Sequence, residues 1–151
     1  MQPHSCPPAT FTNATGNTKF SDCKDCFAGF SCPFNGTTYP TISCSSGFIC
    51  PLGTSRPFLR CEPSYYCPEQ SAEMIPCSAG TYQNEFEQSS CKACTAGSYC
   101  KFKAVNRTKC EPSFYCPAGS AEMVSERSGG GGMTEIVKCD RKCDRGVRGD
   151  D

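Results

Sequence analysis

Cys61-Glu62-Pro63-Ser64-Tyr65-Tyr66-Cys67-Pro68 recurs as Cys110-Glu111-Pro112-Ser113-Phe114-Tyr115-Cys116-Pro117, and each copy is followed by Ser-Ala-Glu-Met, at 71–74 and at 120–123. Looser versions run Cys26-Phe27-Ala28-Gly29-Phe30-Ser31-Cys32-Pro33, Cys44-Ser45-Ser46-Gly47-Phe48-Ile49-Cys50-Pro51 and Cys94-Thr95-Ala96-Gly97-Ser98-Tyr99-Cys100. Cys77-Ser78-Ala79-Gly80-Thr81-Tyr82 has the same start without a second cysteine. The shared element is a cysteine, two small or polar residues, Gly or Ser, an aromatic, a second cysteine and usually a proline. Glycine permits the positive φ of a tight turn, and the aromatic begins a short extended segment. Its ring can cover a neighbouring disulfide, while the proline blocks further sheet pairing.

Read outward, the element belongs to a ladder: Cys6, Cys23, Cys26, Cys32, Cys44, Cys50, Cys61, Cys67, then again from Cys77 through Cys91, Cys94, Cys100, Cys110 and Cys116. Sixteen cysteines among 151 residues is the level of a disulfide scaffold. Such scaffolds persist in oxidising compartments, so the expected location is secreted or cell-surface. The apolar fraction of 37% includes the cysteines, and there is no tryptophan. A chain so thin in large apolar residues needs cross-links to offset the cost of ordering its backbone. Apolar runs are too short for helical periodicity beyond a turn or two. The expected fold is therefore small and disulfide-rich: tandem two-stranded β-ribbons and turns in an elongated array, with little or no helix.

Three regions follow: a first repeat unit over 1–76, an incomplete second over 77–127, and a Gly linker with a charged tail over 128–151. The next rung of the ladder is missing after Met123, and ten of the nineteen residues from Met133 to Asp151 are charged. The Gly129 to Gly132 run reads as a flexible linker, and the tail as disordered or foreign to the repeat. The start has no hydrophobic signal region, so either a signal was removed or the chain is a piece of a longer secreted protein, and the second is the expectation. A formal net charge of zero, with no basic cluster in the first 127 residues, argues against nucleic acid as a partner. No stretch approaches the roughly 20 apolar residues of a membrane span.

The ladder from Cys6 to about Met123 resembles the ephrin-receptor-like, or GCC2/GCC3, cysteine-rich repeats, which are similar in style to tumour-necrosis-factor-receptor and EGF-like modules. The resemblance implies an extracellular spacer, adhesive surface or assembly module. By analogy with the receptor modules it implies the pairs Cys6–Cys23, Cys26–Cys44 and Cys32–Cys50, repeated as Cys77–Cys91, Cys94–Cys110 and Cys100–Cys116. Cys61 and Cys67 depart from the six-cysteine unit and are paired with each other by default. Cys139 and Cys143, in the tail, either pair with each other or stand as free thiols. Spacing alone does not fix connectivity.

Candidate chemistry is sparse. The pairs Cys23/Cys26 and Cys91/Cys94 have C-x-x-C spacing, but they lie too far apart for one zinc site and lack the βαβ context of a redox dithiol, so structural disulfides are the expected use. No metal or other cofactor is expected. His4 is the single histidine, which leaves a nucleophile one poorly placed base. Glu85 and Glu87 alternate on what reads as a strand, with no apolar pocket to shift either carboxyl. The chain is expected not to be an enzyme, with no catalytic residues. Three sequons, at Asn13, Asn35 and Asn106, are expected N-glycan acceptors in exposed loops. Phe48, Tyr65, Tyr66, Phe114 and Tyr115 either cover disulfides or contact a ligand. Arg148-Gly149-Asp150 spells an adhesion tripeptide within the tail. The expected function is a non-enzymatic extracellular structural protein, a glycosylated spacer or fibre protomer that contacts itself or neighbouring repeats. The alternative is a ligand-binding piece of a receptor ectodomain or adhesion protein.

Overall fold

The computed structural model describes residues 4–57 and 59–125. Among them every strand is two residues long, and the strands form seven antiparallel hairpins. These are β1 (Thr10–Phe11) with β2 (Lys24–Asp25), β3 (Phe30–Ser31) with β4 (Ile42–Ser43), and β5 (Phe48–Ile49) with β6 (Leu59–Arg60). The series continues with β7 (Tyr65–Tyr66) and β8 (Ile75–Pro76), β9 (Thr81–Tyr82) and β10 (Lys92–Ala93), β11 (Ser98–Tyr99) and β12 (Thr108–Lys109), and β13 (Phe114–Tyr115) and β14 (Val124–Ser125). One 3₁₀ turn, Phe20–Asp22, is the only helical element among the described residues. The fold is the small disulfide-rich tandem ribbon that the sequence implies.

One local device generates every hairpin. In each loop the residue after the leading cysteine accepts a main-chain bond from the residue three further on, as from Phe30 N–H to Phe27 C=O (3.0 Å) and from Tyr65 N–H to Glu62 C=O (3.1 Å). The third residue of that turn has positive φ in all seven loops: Ala9, Gly29, Gly47, Ser64, Gly80, Gly97 and Ser113. This is the pattern of a type II turn, which favours Gly at its third position and Pro at its second. The chain uses one or the other. Where the third residue is Ala9, Ser64 or Ser113, the second is Pro8, Pro63 or Pro112.

The turn dictates the disulfides. It folds each loop back on itself, so the two cysteines of a loop meet before the chain reaches the next one. Cys26–Cys32, Cys44–Cys50, Cys61–Cys67, Cys94–Cys100 and Cys110–Cys116 are joined, with Cα–Cα distances of 5.8 to 6.2 Å. This corrects four of the implied pairs: Cys26–Cys44, Cys32–Cys50, Cys94–Cys110 and Cys100–Cys116 are not formed. The frame taken from receptor modules links successive loops, whereas here the bridge closes within the loop. Two loops lack the second cysteine, having Thr12 and Gln83 in its place. In the first of these, Cys6 reaches Cys23 instead. Cys77 and Cys91 are both disulfide-bonded as well. The expected Cys139–Cys143 bridge lies outside the described residues.

Leading cysteines recur every 16 to 20 residues, at Cys6, Cys26, Cys44, Cys61, Cys77, Cys94 and Cys110. The structural repeat is thus one short loop and its hairpin rather than a six-cysteine unit. By compactness the chain divides into Met1–Pro76 with Asn84–Cys91, and Cys77–Gln83 with the chain from Lys92. In the first unit the core is small: Phe11, 2% exposed, packs with Cys26 and Cys32, and half-buried Phe30 lies against them. Among the described residues the other buried apolar side chains are cysteines, with Pro40, so the bridges fill the interior that apolar side chains fill in larger domains.

Candidate functional site: the loop junctions and the exposed edge

Successive loops are joined by a fixed set of main-chain bonds. Around Gly29, its N–H donates to the Cys50 carbonyl and its carbonyl accepts from Cys44 N–H, both at 2.8 Å. Gly53 N–H donates to the Cys26 carbonyl (2.8 Å), and Cys32 N–H to the Thr54 carbonyl (2.9 Å). The same four bonds recur in the first unit around Ala9 and Gly47, and in the second around Gly80 and Gly97. The donors corresponding to Gly53 form another row of positive-φ residues: Gly36, Gly53, Gln70, Glu87, Lys103 and Gly119. Gly16 holds the equivalent place in the first loop. These two rows account for every positive-φ residue described.

The second row sits in turns of its own. Thr37, Thr54, Ser71 and Ser120 each donate a hydroxyl to the carbonyl three residues back, on Phe34, Pro51, Pro68 and Pro117, at 2.6 to 2.9 Å. Each side-chain bond of this kind is worth about 1 kcal/mol net and fixes the turn that delivers the junction donor.

Close approach explains three of the four glycines of the first row. A Cβ at Gly29 would come within 2.5 Å of the Gln70 carbonyl oxygen, and Cβ atoms at Gly47 and Gly80 would meet the main chains of Glu87 and Gly119. Gly97 has open space around it.

The residues weighed for chemistry are dispersed. His4 stacks on Phe20 with ring centroids 4.7 Å apart and donates its main-chain N–H to the Asn17 carbonyl (2.8 Å). Glu85 and Glu87 are exposed and lie outside any strand, contrary to the sequence reading; Glu87 N–H makes the junction bond to the Cys61 carbonyl (2.9 Å). Cys23 and Cys26 belong to different bridges, so they do not form a dithiol pair. Among the described residues no group of three or more His, Cys, Asp or Glu side chains is placed to hold a metal ion. Nor is any helix there long and apolar enough to cross a membrane.

Asn13, Asn35 and Asn106 are exposed. Asn35 precedes the positive-φ Gly36 in a junction turn, and Thr108 of the third sequon lies in β12. The Arg107 guanidinium between them donates to Thr95 Oγ1 at 2.9 Å. Phe48, Tyr65, Tyr66 and Tyr115 are half-buried in β5, β7 and β13, and Phe114 is 40% exposed. Arg148-Gly149-Asp150 lies outside the described residues.

Sequence reasoning missed one surface. Phe11, Phe27 and Tyr39 form an edge-on cluster with centroids 4.7, 5.8 and 6.2 Å apart, in which Tyr39 is 59% exposed. The signal was faint, since Phe27 and Tyr39 sit outside the repeated aromatic position. A second exposed ring, Phe86, carries the Arg60 guanidinium 4.4 Å above its centroid. No protein-family model matches this chain, and no curated protein matches it.

Proposed function

We propose that this chain is a non-enzymatic, extracellular structural protein: a glycosylated, disulfide-stapled repeat array that serves as a spacer or fibre protomer and resembles the ephrin-receptor-like repeats in this role. The observation that carries the reading is the recurrence of the same four main-chain bonds at successive junctions. A surface specialised for stacking copies of itself, with bridges in place of a core, suits mechanical and assembly work better than chemistry. The cysteines support a secreted or cell-surface location, because every described one is disulfide-bonded. The exposed sequons fit N-glycans at Asn13, Asn35 and Asn106.

A second reading, a ligand-binding piece of a receptor ectodomain or adhesion protein, is favoured by the Phe27–Tyr39 patch, where exposed rings rest on buried Phe11. Imaging of the native material, with surface labelling of intact cells, tests the first. Fibres or chains of repeats outside the cell are expected; a reduced protein confined to the cytosol contradicts it. Tyr39→Ala separates the readings, since a ligand site loses affinity while a spacer keeps its assembly.

A further inference from the structure

The Phe27–Tyr39 patch departs from the pattern of the array. Phe27 stands directly after a leading cysteine, a place that Ser45, Glu62, Ser78, Thr95 and Glu111 hold in later loops. Tyr39 stands two residues after Thr37, where the loops bearing Thr54, Ser71 and Ser120 have Arg56, Glu73 and Glu122. Every one of those polar residues is exposed, so the repeat itself turns both places toward solvent. Phe27 is 40% and Tyr39 59% exposed, against 2% for the Phe11 ring they rest on. Two large rings in water, where a serine or a glutamate serves elsewhere, carry a hydration cost that a cover would remove.

A cover of definite chemistry starts beside them. Asn13 heads the first sequon and is exposed. It follows Phe11 by two residues, the spacing that puts side chains on one face of an extended chain. Between them, Thr12 donates its N–H to the Thr37 carbonyl (3.0 Å), which pins this stretch to the chain that leads through Thr38 to Tyr39. Ala14 N–H donates to Thr12 Oγ1 (3.3 Å), so the turn just beyond Asn13 is held as well. In the loops closed by a second cysteine, Pro33, Pro51, Pro68 and Pro117 stand where this loop has Asn13. The fold thus brings a glycan acceptor from residue 13 beside rings from residues 27 and 39. The N-acetylhexosamine that begins an N-glycan is polar at its rim and presents C–H groups across one face. An aromatic face is negative and attracts such C–H groups, as it attracts the positive edge of another ring.

We propose that the N-linked sugar of Asn13 folds back onto the Phe27–Tyr39 patch, with the C–H face of its first N-acetylhexosamine on the Tyr39 ring. The patch is then the seat of the chain's own carbohydrate. In a unit whose core is Phe11 with Cys26 and Cys32, the sugar extends the cover over Phe11 that Phe27 and Tyr39 begin. Asn35 has no share in the seat, because the positive-φ turn at Gly36 redirects the chain between it and Tyr39. The inference rests on the glycosylation reading above and gives one of its three acceptors a structural task.

The test uses the full, oxidised chain secreted from a glycosylating host, its glycans trimmed enzymatically to the first N-acetylglucosamine. Proton NMR reads whether that sugar lies on a ring, since an aromatic face displaces the resonances of C–H groups against it upfield. The expected result is an upfield displacement of the Asn13 sugar in the wild type and in Asn35→Gln. In Tyr39→Ala the same resonances should return to their positions in the reduced, unfolded chain. Denaturant unfolding completes a double-mutant cycle: Asn13→Gln should raise the unfolding equilibrium constant up to about tenfold beside Tyr39, and scarcely at all beside Ala at that position. A sugar on Asn13 that resonates as in the unfolded chain, or that Tyr39→Ala does not move, overturns the seat. Glycosylation then stands, and the bare rings return to the ligand-binding reading. An Asn13 that intact mass shows to be unmodified overturns both the seat and glycosylation at that site.

Discussion

Gly29 lies beneath the main chain of Gln70, so close that a Cβ on residue 29 would fall 2.5 Å from the Gln70 carbonyl oxygen. The glycine is there for two reasons at once, its φ of +84° and the absence of room. Gly97 shares the first reason without the second. Gly29→Ala is therefore expected to cost about 2–5 kcal/mol, combining left-handed strain with a backbone clash. Gly97→Ala should cost about 1–2 kcal/mol, from strain alone. Denaturant unfolding of the oxidised proteins measures both, and equal costs would deny the close approach.

The bridges differ in the length of chain they close. Cys44–Cys50 has a sequence separation of 6 and Cys6–Cys23 one of 17. On the chain-entropy account, replacing the first pair by Ser costs about 2 kcal/mol and the second about 3 kcal/mol. The same unfolding measurement on the paired variants checks the order. A larger loss at Cys44/Cys50 would mean that its bridge sets the loop geometry as well as closing it.

Phe11 is the one large apolar side chain, apart from the cysteines and Pro40, to be fully buried among the described residues. Phe11→Ala should cost about 3–5 kcal/mol, as a cavity opens beside the Cys26–Cys32 bridge. Phe27→Ala, on the exposed side of the same cluster, should cost about 1 kcal/mol through the lost ring contact. Thermal unfolding of the two variants distinguishes a core residue from its cover.

Asn35 and Thr37 separate modification from folding. Asn35→Gln removes the acceptor of the second sequon and, on an exposed turn residue, should change stability by no more than about 0.5 kcal/mol. Thr37→Ala abolishes the same sequon and also the bond from its hydroxyl to the Phe34 carbonyl (2.9 Å), at a cost of about 1 kcal/mol. Intact mass of the secreted proteins, with and without enzymatic deglycosylation, should show both variants lighter by one glycan. An unmodified wild-type Asn35 would remove glycosylation from that site.

Much of this was written in the cysteines. Their ladder and the Gly-aromatic pairs beside them specify tight turns, short strands and a bridge-filled interior. Two rungs were harder to see, because Thr12 and Gln83 replace a cysteine while keeping the backbone of the turn. The prolines at 8, 63 and 112 already marked the loops whose positive-φ residue is not glycine, a signal that lies in the turn chemistry rather than in the ladder. The junctions were not legible at all. Their bonds run from main chain to main chain, so no side chain records them except where Gly29, Gly47 and Gly80 leave room. Connectivity failed for a related reason, since spacing is compatible with bridges within a loop or between loops, and only the turn decides.

That decision is open to direct measurement. Proteolysis of the unreduced protein, followed by mass spectrometry of the linked peptides, reports which cysteines are joined. Bridges that close single loops require Cys26–Cys32, Cys44–Cys50 and Cys94–Cys100. Recovery of Cys26 linked to Cys44, or of Cys32 linked to Cys50, would contradict the one-loop repeat on which the junctions and their stacking depend.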